Sequence, residues 1–77
     1  MNIRIEYCMD WNYEPKALSL RDSLNAEFGI LTELIPSGGG VFEVTVNGSL
    51  IFSKKQLGRF PNDGEIVNFI ENVLKVI

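Results

Sequence analysis

Ile3, Ile5 and Tyr7 alternate with Asn2, Arg4 and Glu6 at the start of the chain. A period of two predicts a strand with one side against a core. The spacing then changes near position 8. Tyr13, Ala17, Leu20, Leu24 and Phe28 recur at intervals of three and four, the stripe of a helix facing a core. Pro15 suits the first turn of that helix, where its missing N–H costs little, and Gly29 suits the left-handed position after the last turn. The helix is therefore expected over Asn12 to Phe28.

Ile30 to Ile35 is a short apolar run that reads as a second strand closed by Pro36. Strand, helix, strand makes a right-handed parallel crossover. Ser37-Gly38-Gly39-Gly40 follows as a connection. Val41 to Val46 and Ser49 to Ser53 flank Asn47-Gly48, the strongest local signal for a two-residue hairpin, because both turn residues must accept positive φ. That loop sets Val46 opposite Ser49, Thr45 opposite Leu50 and Val44 opposite Ile51. Phe42, Val44 and Ile51 are then expected on one face, with Val41, Glu43, Leu50 and Phe52 on the other. A polar segment carries Lys54, Lys55, Gln56, Arg59 and Asn62. Ile66, Ile70, Val73, Leu74 and Ile77 return to helical spacing, with Asn62 and Glu65 as a capping pair. The predicted order is β-α-β-β-β-α in one domain over residues 1–77. It is an α/β architecture with two helices against a four-stranded mixed sheet.

Composition narrows the function. Seventy-seven residues, 45% hydrophobic and with eight aromatics, describe a small globular domain that hides roughly 60 to 65% of its unfolded surface. Ten acidic against seven basic residues give a net charge of −3, which disfavours nucleic acid and anionic membranes as partners. No apolar run reaches the roughly 20 residues that cross a bilayer. One cysteine excludes an internal disulfide framework, and the start of the chain lacks the pattern of a secretory leader, so a reducing, cytoplasmic location is expected. Zero histidines remove Ser-His-Asp and Cys-His mechanisms and histidine-bearing zinc sites. No metal site is assigned.

Ile5-Glu6-Tyr7-Cys8-Met9-Asp10-Trp11, Pro36-Ser37-Gly38-Gly39-Gly40-Val41-Phe42-Glu43-Val44 and Leu50-Ile51-Phe52-Ser53-Lys54-Lys55 occur in that order along nearly the whole chain. In these stretches the sequence resembles the selenoprotein W-like (Rdx) family of the SelT/SelW/SelH group. The resemblance implies a minimal thioredoxin-like fold and thiol redox metabolism. Such proteins carry Cys-x-x-Cys or Cys-x-x-selenocysteine at the first strand-to-helix turn. Cys8 takes the first position of that motif. Trp11 takes the second, where an indole can neither form nor resolve a disulfide. Selenocysteine is specified by UGA, one base from the tryptophan codon UGG, so Trp11 marks either a substituted redox position or a recoded one.

The candidate redox thiol is Cys8, expected to lie partly exposed at the start of a helix whose dipole favours thiolate. The bland alternative is a small buried hydrophobe at a strand end. Trp11 reads either as a recognition surface or as a cover folded on Met9 or Tyr13. Gly38, Gly39 and Gly40 are candidate binding residues, since close backbone approach requires residues without side chains. No lysine followed by serine or threonine comes after them, which argues against a phosphate loop. Lys54 and Lys55 read chiefly as solvated charges that block strand addition, and Glu6, Asp10 and Glu14 as solvated carboxylates. The expected function is a reversible mixed disulfide through Cys8 with glutathione as co-substrate or with a thiol protein, and no resident cofactor. Whether it turns over as an enzyme is left open. The alternative is a noncatalytic interaction module that has lost the activity. The partly apolar second sheet face leaves room for a weak homodimer.

Overall fold

Alternation at the amino terminus builds strand β1, Ile3–Cys8, in which Ile3, Ile5 and Tyr7 are buried and Arg4 is exposed. A computed structural model describes residues 1–76; Ile77, assigned to the last helical stripe, lies outside the described residues. After β1 come α1 (Glu14–Phe28), β2 (Glu33–Ser37), β3 (Phe42–Val46), β4 (Ser49–Ser53), α2 (Lys54–Leu57) and α3 (Glu65–Val76). The strands form one mixed sheet in the order β2-β1-β3-β4, with β1 parallel to β2 and the other pairs antiparallel. This is the expected α/β fold. The single-turn helix α2 is additional to it, and arises because the Ser53 side chain accepts from the Gln56 N–H at 3.3 Å and so caps four residues that carry no apolar period.

Helix α1 starts at Glu14 rather than Asn12. Asn12 has φ of 60°, a left-handed conformation that asparagine tolerates but a right-handed helix excludes. Pro15 lies in the first turn, and Gly29 closes the helix at φ 65°, its N–H donating to the Asn25 carbonyl at 2.8 Å. The stripe predicted for this helix faces the core: Ala17 and Leu24 are buried, and Tyr13, Leu20 and Phe28 pack against them. Strand β2 begins three residues later than its apolar run. Leu31 stands in solvent, and Pro36 lies within the strand opposite Tyr7 rather than ending it. Proline is admissible there because β2 is an edge strand and needs no donor on its outer side.

The hairpin departs from simple alternation. Val46 pairs with Ser49 and Thr45 with Leu50 as expected, but a bulge follows and Val44 pairs with Phe52 instead of Ile51. One inserted residue moves every later side chain to the other face. Phe52 thus joins Phe42 and Val44 in the core, and the assignment of Phe52 to the outer face is corrected. Ile3, Ile5, Tyr7, Phe42, Val44, Val46 and Phe52 of the sheet meet Ala17 and Leu24 of α1 and Ile66 and Ile70 of α3. Each large side chain buried there contributes about 1.5 to 3 kcal/mol. The other face carries an Arg4–Glu33 ion pair at 2.8 Å and a hydrogen bond from Ser53 to Glu43 at 2.7 Å.

Candidate functional site

Cys8 is the last residue of β1, and its backbone is held on both sides. Its N–H donates to the Val41 carbonyl at 2.8 Å, it stands opposite Ser37 of β2, and the Met9 N–H donates to the Ser37 carbonyl at 3.0 Å. The residue is 0% exposed. Two expectations are corrected here. Cys8 is enclosed rather than partly exposed, and it does not open the helix, because Met9–Tyr13 intervene before α1 begins at Glu14. The influence of a helix dipole falls off within its first turn, so that separation weakens the activation expected from it. By the alternation of β1, Cys8 follows Arg4 and Glu6 onto the face opposite the helices, and it is not a member of the contiguous apolar core. What stands around it is the pair of turns at the end of β1 and before β3.

Those turns press on each other. A Cβ at Gly40 would come within 2.4 Å of the Trp11 ring, and one at Gly38 within 3.4 Å of the Asp10 carboxylate. Gly40 is buried, with φ of 73°. Its lack of a side chain is what admits the indole. The group that approaches the glycine run at Gly40 is Trp11 of the same chain. Gly39 is exposed, with open space where its Cβ would be, and takes no part in the contact. Trp11 meets Tyr13 edge-on at 6.2 Å and is still 62% exposed, so it both covers and presents a surface.

From Trp11 a row of rings leads away. Tyr13 meets Phe60 at 4.7 Å and Phe60 meets Phe42 at 5.4 Å, both edge-on. The ammonium groups of Lys16 and Lys54 lie 4.7 and 5.4 Å from the Phe60 ring, and Lys54 is also 5.4 Å from Tyr13. Sequence reasoning missed this cluster. Tyr13, the cap of α1, and Lys16, three residues further on, were a signal for part of it; Phe60, in an irregular segment, had none. The Tyr7 hydroxyl donates to Glu14 at 3.4 Å, and burial, then the Glu14 charge, raises the Tyr7 pKa above its ordinary value. Among the described residues no His/Cys/Asp/Glu group could hold a metal ion, and no helix is long and apolar enough to cross a membrane.

A mixed four-stranded sheet with helices on one face and a cysteine where the first strand turns toward α1 defines a protein of thioredoxin-like fold. The chain belongs to the Rdx family, whose pattern it matches over residues 2–72. It is 35% identical over 71 residues to migration and invasion enhancer 1 of Mus musculus, covering 91% of this chain and 62% of that protein. It is 43% identical over 58 residues to selenoprotein W of Mus musculus, covering 70% and 66%. The chain thus matches somewhat less than two thirds of the length of these relatives. A selenoprotein W-related protein from Vibrio cholerae has a crystal structure that superposes with a TM-score of 0.86 at 29% identity, over 94% of both chains.

Proposed function

We propose that this protein acts in thiol redox metabolism by forming a reversible mixed disulfide through Cys8. The observation that carries the reading is positional. Cys8 terminates the first strand of an Rdx-family fold, fully buried, with its backbone hydrogen-bonded to the segment that leads into β3. In the step proposed, the Cys8 thiolate attacks one sulfur of glutathione disulfide or of a protein disulfide. The new S–S bond forms as the old one breaks, and the other half leaves as thiolate. A second external thiol then attacks the mixed disulfide and returns Cys8 to its reduced form, because Trp11 cannot serve as the resolving group. Enclosure makes this a gated reaction, in which the turn Met9–Asn12 must lift from Gly40 before the sulfur is reached.

The competing reading, a noncatalytic interaction module, is favoured by the same enclosure and by the exposed face of Trp11. Mass spectrometry of the folded protein after exposure to glutathione disulfide separates the two. The redox reading expects one glutathione on Cys8, none on Cys8→Ser, release by added thiol, and labelling roughly tenfold faster in Trp11→Ala, where the cover is removed. Labelling that occurs only after denaturation, in both the parent and Trp11→Ala, rejects it in favour of the interaction module.

A further inference from the structure

The described ion pairs engage all three arginines: Arg4 with Glu33, Arg21 with Asp22 and Arg59 with Glu65. Lys16 and Lys54 appear in none of them, and both ammonium groups are instead held against one ring, that of Phe60. Bringing two like charges to one aromatic without a carboxylate between them costs electrostatic energy in this chain alone. An incoming carboxylate relieves it. The rings shield part of each ammonium and leave its remaining donors to solvent. Tyr13 joins this cluster edge-on to Trp11, so the basic patch is continuous with the turn that follows Cys8.

We propose that Lys16 and Lys54, on the platform of Phe60 and Tyr13, dock a short acidic segment of a protein partner beside the thiol site. The proposal deepens the redox reading, and rests on it in so far as the docked protein is the one that exchanges its disulfide with Cys8. The patch opens into a groove of about 440 Å³ between α1 and α3, lined by Lys16, Leu20, Phe42, Phe60 and Ile66 among others. The segment can therefore seat an apolar side chain next to its carboxylates. Glu27 and Asp63 also line the groove. Glu27 lies eleven residues beyond Lys16 on α1, about 16 Å along the axis, so the acidic positions belong at the Lys16 end. A long polyanion would meet the field of a chain with net charge −3, whereas a short acidic segment meets mainly the two lysines.

Titration of the isotope-labelled full chain by NMR with the capped pentapeptide Glu-Glu-Leu-Glu-Glu tests this. The expected result is amide shifts at Tyr13, Lys16, Lys54 and Phe60. Affinity should fall about tenfold in Lys16→Glu/Lys54→Glu and again when salt rises from about 50 to about 500 mM. Cys8→Ser should bind the peptide unchanged, so docking can stand even where glutathionylation fails, and the two readings fall separately. Equal binding of Lys-Lys-Leu-Lys-Lys, preferential binding of hexathymidylate, indifference to the two lysines, or shifts confined elsewhere would each overturn the proposal.

Discussion

The contact between Trp11 and Gly40 joins the turn after β1 to the turn before β3 through two residues. A side chain at Gly40 meets two separate penalties: a φ of 73° that L-residues rarely adopt, and an indole carbon 2.4 Å from where its Cβ must go. The first is a property of the backbone and the second of Trp11. Gly40→Ala is therefore expected to cost about 2 to 3 kcal/mol in the parent, and only about 1 kcal/mol in a Trp11→Ala background where the clash is absent. Urea unfolding of the four proteins of this cycle measures the difference. Equal costs in both backgrounds would show that the ring gives way freely and that the two turns are not locked together. Of this pair, the family resemblance implied that Trp11 takes the second position of the redox motif, and the glycines were read as permitting close approach. It could not show that each is the other's partner, because the contact joins turns 29 positions apart whose approach depends on the parallel pairing of β1 with β2 and the antiparallel pairing of β1 with β3.

Among the elements, the hairpin and the start of α3 carry the clearest tests. Strict alternation puts Ile51 inward, whereas the bulge puts Phe52 opposite Val44 in the core and leaves Ile51 half-buried. Phe52→Ala is expected to cost about 3 to 4 kcal/mol and Ile51→Ala distinctly less, about 1 to 2 kcal/mol; chemical denaturation that reverses the order would restore the unbulged register. The Asn-Gly signal located the turn because its φ requirement is local, but a bulge is a compromise between twist and burial that no adjacent residue announces. At α3, Glu65 accepts two hydrogen bonds from Arg59 at 2.7 and 3.1 Å and one from the Asn62 N–H at 2.9 Å. Half of the predicted capping pair is thus realised, with Glu65 reaching back. The hydrogen bonds from Arg59, then that from Asn62, pull the Glu65 pKa from 4.5 to about 2. A carboxylate lowered on folding stabilises the native state above its unfolded pKa and loses that contribution as pH falls from about 4.5 toward 2. The urea midpoint of the parent should drop across that window more than that of Glu65→Gln, and identical acid profiles would remove the ion pair from the account.

For the molecule as a whole, β1 is the organising strand, paired with β2 on one side and β3 on the other, with its inward residues in the core and its last residue at the thiol site. Amide exchange should accordingly be slowest in Ile3–Tyr7 and Phe42–Val46, and fastest in the four-residue α2 and the turn Met9–Asn12. A turn as protected as β1 would argue against gating by local opening and hence against access to Cys8. The amino-acid sequence alone determined the α/β class, the crossover, the hairpin turn, the apolar stripe of α1 and the family pattern around Cys8, because periodicity, proline, glycine and motif spacing act over a few residues. Only tertiary structure decided that Cys8 is enclosed, that Trp11 rests on Gly40, that Phe52 faces inward, and that Lys16 and Lys54 meet on Phe60. Each of these joins segments distant in the chain. Their proximity is set by strand order and by the packing of helices on one sheet face, quantities that local preference does not contain.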